Sequence, residues 1–133
     1  MIVVDASVIA PALADDEGDG DRARRELAGE GLAAPELLAL EVCQTFRRAA
    51  RIGRLGRRRA EQAMSDLVAL PIGYVPHRPL LGRIWELREN ATAYDAAYLA
   101  LAELMAAPLL TADGRLERVP GVRCPVRVLG PSS

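Results

Sequence analysis

Met1-Ile2-Val3-Val4-Asp5-Ala6-Ser7 is the stretch that decides the fold. An unbroken, β-branched apolar run predicts a short strand buried on both faces. It stops on a carboxylate, and Ser7 is placed to N-cap a short helix through Leu13. Pro11 falls in the first turns of that helix, where proline is tolerated. A buried strand feeding directly into a helix is the first half of a β–α–β unit.

The same alternation continues along the chain. An acidic loop, Asp15–Gly20, leads to a helix from Asp21 to Leu27 that Gly29 and Gly31 end. Leu32–Ala34 predicts a second strand, closed by Pro35. A helix follows from Glu36 to Arg51, broken by Gly53 and Gly56. Ala60, Ala63, Met64 and Leu67 then recur at helical spacing. Ile72–Val75 is a third strand, between Pro71 and Pro76, and Pro79–Glu89 is helical. Tyr94–Met105 is apolar almost all round, as in a helix buried on most faces. Pro108–Thr111 and Val126–Leu129 complete the strands. Short apolar strands alternating with helices imply an α/β fold, with a central parallel sheet of about five strands and helices on both faces. One domain over residues 1–130 is expected, with a frayed end at 131–133.

Composition narrows the function classes. The 133 residues are 50% apolar and 26% charged, which is globular usage. No apolar run reaches the roughly 20 residues of a membrane span. Neither a membrane association nor a signal peptide is expected, and the expected location is the cytoplasm. Cys43 and Cys124 are isolated and make no disulfide or metal framework. The net charge of −1 argues against a strongly basic nucleic-acid binder. Its distribution is uneven, however. Arg47, Arg48, Arg51, Arg54, Arg57, Arg58 and Arg59 follow one another with no acid between them. This cluster is either a solvated helix face or a surface for phosphates.

Four acids stand at or inside apolar segments: Asp5, Glu41, Asp95 and Asp113. Ionised carboxylates near a core need a partner or a cation. Each also has a local explanation. Asp5 can end a strand, and Asp113-Gly114 can make a turn. Thr92-x-x-Asp95 resembles a capping box at a helix start. Glu41 lies roughly 60–70° from the middle of the stripe Leu38, Val42, Phe46 and Ala49, at the border of the core. A salt bridge to a nearby arginine is its alternative. In an open parallel sheet, ligands bind outside the carboxyl ends of the strands, where Asp5 and Asp113 fall. His77 stands alone in a predicted loop and reads as a surface histidine. Four oxygen donors without His or Cys support point to Mg²⁺ or Mn²⁺. Without a metal, carboxylates this close repel, and at least one should be raised in pKa.

The segments Val3-Val4-Asp5-Ala6-Ser7, Glu41 within a helix, Thr92-Ala93-Tyr94-Asp95-Ala96-Ala97-Tyr98 and Leu109-Leu110-Thr111-Ala112-Asp113 together resemble the PIN-domain ribonucleases. The nearest likeness is to the VapC toxins of type II toxin–antitoxin systems. That resemblance implies a Rossmann-like α/β/α fold and a Mg²⁺- or Mn²⁺-dependent endoribonuclease that cuts RNA through metal-activated water. It implies Asp5, Glu41, Asp95 and Asp113 as catalytic and metal-holding acids, with Ser7 and Thr111 supporting them through their hydroxyls. It also implies a homodimer and a cognate antitoxin covering the active-site groove. Arg47, Arg48 and Arg51 are the candidate contacts to RNA or antitoxin. Some relatives carry a further Asp after the fourth acid; here Glu117 is the candidate substitute.

Two alternatives stay open: a PIN-type metal nuclease outside a toxin–antitoxin system, and a non-catalytic module that binds a cation. A phosphoryl-transfer protein of the receiver or aspartyl-phosphatase kind fits poorly. Those usually need a lysine near the reactive Asp, and all 17 basic residues here are arginine.

Overall fold

The computed structural model describes residues 1–130, so the expected frayed end at 131–133 lies outside the described residues. Five strands form one parallel sheet: β1 (Ile2–Val4), β2 (Leu32–Pro35), β3 (Ile72–Val75), β4 (Leu109–Thr111) and β5 (Val126–Val128). Their order across the sheet is β3-β2-β1-β4-β5, with every neighbouring pair parallel. β1, β2 and β4 are buried throughout, as their unbroken apolar runs require. The edge strands β3 and β5 are half-open to solvent.

Six α-helices connect the strands: α1 (Ala6–Ala14), α2 (Gly18–Leu27), α3 (Leu37–Arg51), α4 (Arg57–Ala69), α5 (Leu81–Glu86) and α6 (Ala93–Leu104). α1 packs against α2, α3 and α4 and touches β4, while α3 lies on β2. α6, buried from Ala96 through Ala102, lies against β1, β2 and β4 and carries α5 on its other side. The resulting α/β arrangement is Rossmann-like. Strand order reverses between β1 and β4, and a crevice opens outside the carboxyl ends at such a switch point. Among the described residues no helix is long and apolar enough to cross a membrane.

Beyond one-residue shifts at element ends, three features differ from the sequence expectation. Ser7 does not cap α1; Asp5 does. The helix begins one residue after it, its side chain accepts from the Ser7 N–H, and its carbonyl accepts from the Val8 and Ile9 N–H groups. The acidic stretch Asp15–Gly20 is not all loop, because α2 starts at Gly18. Tertiary packing overrides weak propensity there: a Cβ on Gly20 would collide with the Asp15 carbonyl, so only glycine allows that approach. Arg24 then ties the two helices, donating to the carbonyls of Ala12 at 2.9 Å and Asp15 at 2.8 Å. Finally, the Pro79–Glu89 helix is divided into a 3-10 turn, Arg78–Leu80, and the short α5.

Candidate active site

Asp5 and Asp113 come to the switch point from adjacent strands. Asp5 follows β1 directly and is only 7% exposed. Its Oδ1 accepts from Ser7 Oγ at 2.5 Å and Ser7 N at 3.1 Å. Its Oδ2 accepts from the fully buried Thr111 Oγ1 at 2.5 Å. Behind the two hydroxyls stand backbone donors from the β4 end. The Ala112 N–H donates to Ser7 Oγ at 2.8 Å, and the Asp113 N–H donates to Thr111 Oγ1 at 3.0 Å. Two short relays therefore run from successive amides to the two oxygens of one carboxylate.

These donors are neutral, and they do not offset burial. Desolvation pushes the Asp5 carboxyl up to about 6, against the lowering effect of Ser7 and Thr111 and with help from the Glu41 charge. Asp5 makes no ion pair among the described residues.

Asp95 sits in the first turn of α6, half-buried. Thr92 caps that helix and accepts from the Asp95 N–H at 3.1 Å, as the Thr-x-x-Asp spacing predicts. Glu41 is also half-buried, on α3 beside the buried Leu38 and Val42. The alternative of a salt bridge to arginine is not what the structure shows. Glu41 Oε1 instead accepts from the Tyr98 hydroxyl at 2.5 Å. Tyr98 is buried on α6, and burial, then the Glu41 hydrogen bond and charge, then the charges of Asp5 and Asp95, raise its phenol. One phenol is thus within the field of three of the four acids.

Asp113 is held differently. The Arg115 guanidinium lies across its carboxylate, with Nε at 3.0 and 3.1 Å from the two oxygens and Nη2 at 2.5 Å from Oδ2. This guanidinium holds Asp113 below the usual carboxylate range. Arg115 also feels the charge of Asp95, which links the fourth acid to that one. The four carboxylates do not close into a cage. Among the described residues no group of three or more His, Cys, Asp or Glu side chains is disposed to hold a metal ion. The donor set, four carboxylates of which one is buried and raised, still fits a hard divalent cation.

Sequence reasoning missed two participants. Tyr98 was visible as a polar tip on an apolar helix, one turn beyond Asp95. Arg115 had only its closeness to Asp113 to mark it. His77 is exposed, as expected of a surface histidine, and in addition its Nε2 accepts from the Leu37 N–H at 3.0 Å and so caps the start of α3. No local pattern joins residues 40 positions apart. Glu117 is exposed, in the 3-10 turn Gly114–Arg118. Arg47, Arg48 and Arg51 are exposed on the second half of α3 and make no ion pair among the described residues.

A parallel sheet of this order with acids at its switch point is the arrangement of a PIN domain, and the PIN domain family model matches residues 2–122. The chain belongs to that family. Within it, the chain belongs with the VapC ribonucleases. It is 40% identical to Ribonuclease VapC9 of Mycobacterium tuberculosis (strain ATCC 25618 / H37Rv) over 129 residues, 97% of this chain and 98% of that one. Two solved structures share the fold. The M. tuberculosis VapC20 structure, described as a sarcin–ricin loop cleaving toxin, matches with TM-score 0.68 and 18% identity, over 92% of this chain and 97% of that one. A toxin–antitoxin complex from Klebsiella pneumoniae matches with TM-score 0.62 and 19% identity, over 96% of this chain and all of that one.

Proposed function

We propose that this chain is a Mg²⁺- or Mn²⁺-dependent endoribonuclease, the toxin of a type II toxin–antitoxin module, acting in the cytoplasm through one PIN domain over residues 1–130. The observation that carries the reading is Asp5: a buried carboxylate, raised to about 6, braced by two hydroxyls and lacking an ion-pair partner among the described residues. Such a group is stabilised by a cation far more than by further neutral donors.

Asp5, Asp95, Asp113 and Glu41 would hold the metal. A divalent cation there would lower the pKa of a water toward neutrality and stabilise charge developing on the scissile phosphate. The residues themselves do the positioning. Ser7 and Thr111 fix both oxygens of Asp5, and Thr92 fixes the turn that carries Asp95. Arg115 must release Asp113 before that carboxylate can serve a cation. Arg48 follows Glu41 by seven residues, on the same helix face and about 10 Å along the axis. That spacing suits contact with a neighbouring RNA phosphate.

An antitoxin partner is supported by the Klebsiella complex, and by a groove between α1 and α3 floored by Ala10, Ala14, Phe46 and Ala49. A homodimer is supported by Leu81 and Trp85, which are 54% and 67% exposed one turn apart on α5.

Incubation of the purified protein with total RNA and Mg²⁺, followed by sequencing of new 5′ ends, tests the reading. Wild type should generate discrete ends, and Asp5→Asn and Asp95→Asn should not. The same fragments from all three would overturn it. Mn²⁺ binding without cleavage of a broad RNA pool would favour the non-catalytic module.

A further inference from the structure

Glu41 and Asp113 are held by opposite kinds of donor. Asp113 faces a guanidinium on both oxygens, which cancels much of its charge. Glu41 is held on Oε1 alone, by a neutral phenol. Tyr98 is 2% exposed, and its ring is fixed in the core of α6. It stands three residues after Asp95, so it rises from the next turn of the same helix. One rigid helix therefore carries one acid of the site and grips a second acid that belongs to α3. Glu41 has three rotatable side-chain bonds and is half-open to solvent. Without the phenol it would lose that freedom only on meeting a ligand.

We propose that Tyr98 is a positioning residue: its neutral hydroxyl fixes Glu41 through Oε1 without setting a competing positive charge against the carboxylate. The inference rests on the metal-nuclease reading above and assigns Tyr98 a part in it. An arginine in its place would compete with the metal, and a phenylalanine would leave the carboxylate free to swing. Tyr98 acts on the cation through Glu41 alone, so its effect must vanish when Glu41 can no longer reach it.

The test is a double-mutant cycle on Mn²⁺ affinity, read by paramagnetic resonance of free Mn²⁺, with RNA cleavage measured alongside. Tyr98→Phe fills the same space, and a melting curve verifies the fold. It should weaken Mn²⁺ binding by about tenfold, the scale of one hydrogen bond to a charged group. It should also raise the Mn²⁺ concentration needed for half-maximal cleavage, with KM for RNA unchanged. Glu41→Asp breaks the same contact from the half-exposed side, because the shorter side chain falls short of the phenol. Adding Tyr98→Phe to Glu41→Asp should change affinity less than twofold.

Wild-type affinity in Tyr98→Phe, or a full tenfold loss on top of Glu41→Asp, overturns the inference while leaving the nuclease reading intact. If Tyr98→Phe fails to fold, wild-type Mn²⁺ affinity in Glu41→Asp overturns it instead. A wild-type protein that neither binds Mn²⁺ nor cleaves RNA defeats both.

Discussion

Asp5→Asn should make the metal-free protein more stable while removing its response to metal. The folded carboxyl titrates at about 6 against an ordinary 3.8, so the folded state binds its proton more tightly than the unfolded chain does. Asp5 therefore favours folding fully below pH 3.8, and that contribution is lost as the pH rises through 6. Ionised Asp5 costs about 3 kcal/mol at pH 7.5, because each tenfold difference in proton affinity between the folded and unfolded chain is worth about 1.4 kcal/mol. Asparagine escapes that cost, and the hydrogen bonds can be redrawn around it. Its carbonyl oxygen accepts from Ser7 as Oδ1 does, and its amide donates to Thr111 Oγ1. The Thr111 hydroxyl is then free to donate to Ser7 Oγ, 3.3 Å away. In EDTA at pH 7.5 the variant should melt about 10 °C above wild type. At pH 4 the gap should nearly close, because wild-type Asp5 is then protonated in the fold. Saturating Mn²⁺ should raise the wild-type melting temperature and leave the variant unmoved. Melting by circular dichroism across pH, with and without Mn²⁺, measures all of this. A variant less stable than wild type in EDTA at pH 7.5, or a gap that does not shrink toward pH 4, would refute the reasoning.

Arg115→Gln removes the guanidinium from Asp113, so Mn²⁺ titration should show tighter binding than wild type; weaker binding would mean that Arg115 supports the site and does not compete for it. Arg83 and Glu103 form an ion pair at 2.7 Å, with side chains 19% and 11% exposed, and Arg83 also donates to the Gly121 carbonyl. Arg83→Ala leaves that carboxylate only the Arg123 N–H, which donates to it at 2.7 Å, and chemical denaturation should report a loss of about 1–2 kcal/mol. His77→Ala removes the cap on Leu37, a loss of about 1 kcal/mol in the same assay, with little effect if water caps α3 as well.

Much of the fold was legible because its signals are local. The apolar stretches Ile2–Val4 and Pro108–Thr111 read as short strands, and the structure has strands buried throughout at Ile2–Val4 and Leu109–Thr111. Glu41 at the edge of the α3 stripe and Asp95 three residues after its cap could be placed from helical geometry alone. What escaped depends on contacts between distant segments. α2 begins at Gly18, and its Gly20 lies where any Cβ would collide with the Asp15 carbonyl. His77 caps a helix that starts 40 residues before it. The acids could be grouped from the sequence, but their partners could not. Tyr98 reaches Glu41 across 57 residues, and Arg115 takes Asp113 through a rotamer that no spacing rule fixes.

The central claim is that Asp5, Glu41, Asp95 and Asp113 form one cation site at the β1–β4 switch point. Anomalous scattering from a crystal grown with Mn²⁺ tests it most directly. A Mn²⁺ peak is expected within about 2.0–2.3 Å of oxygens from Asp5 and at least one other of these acids, with Arg115 turned away from Asp113. A Mn²⁺ peak elsewhere on the protein, with Asp5 still bound only by Ser7 and Thr111, would contradict it.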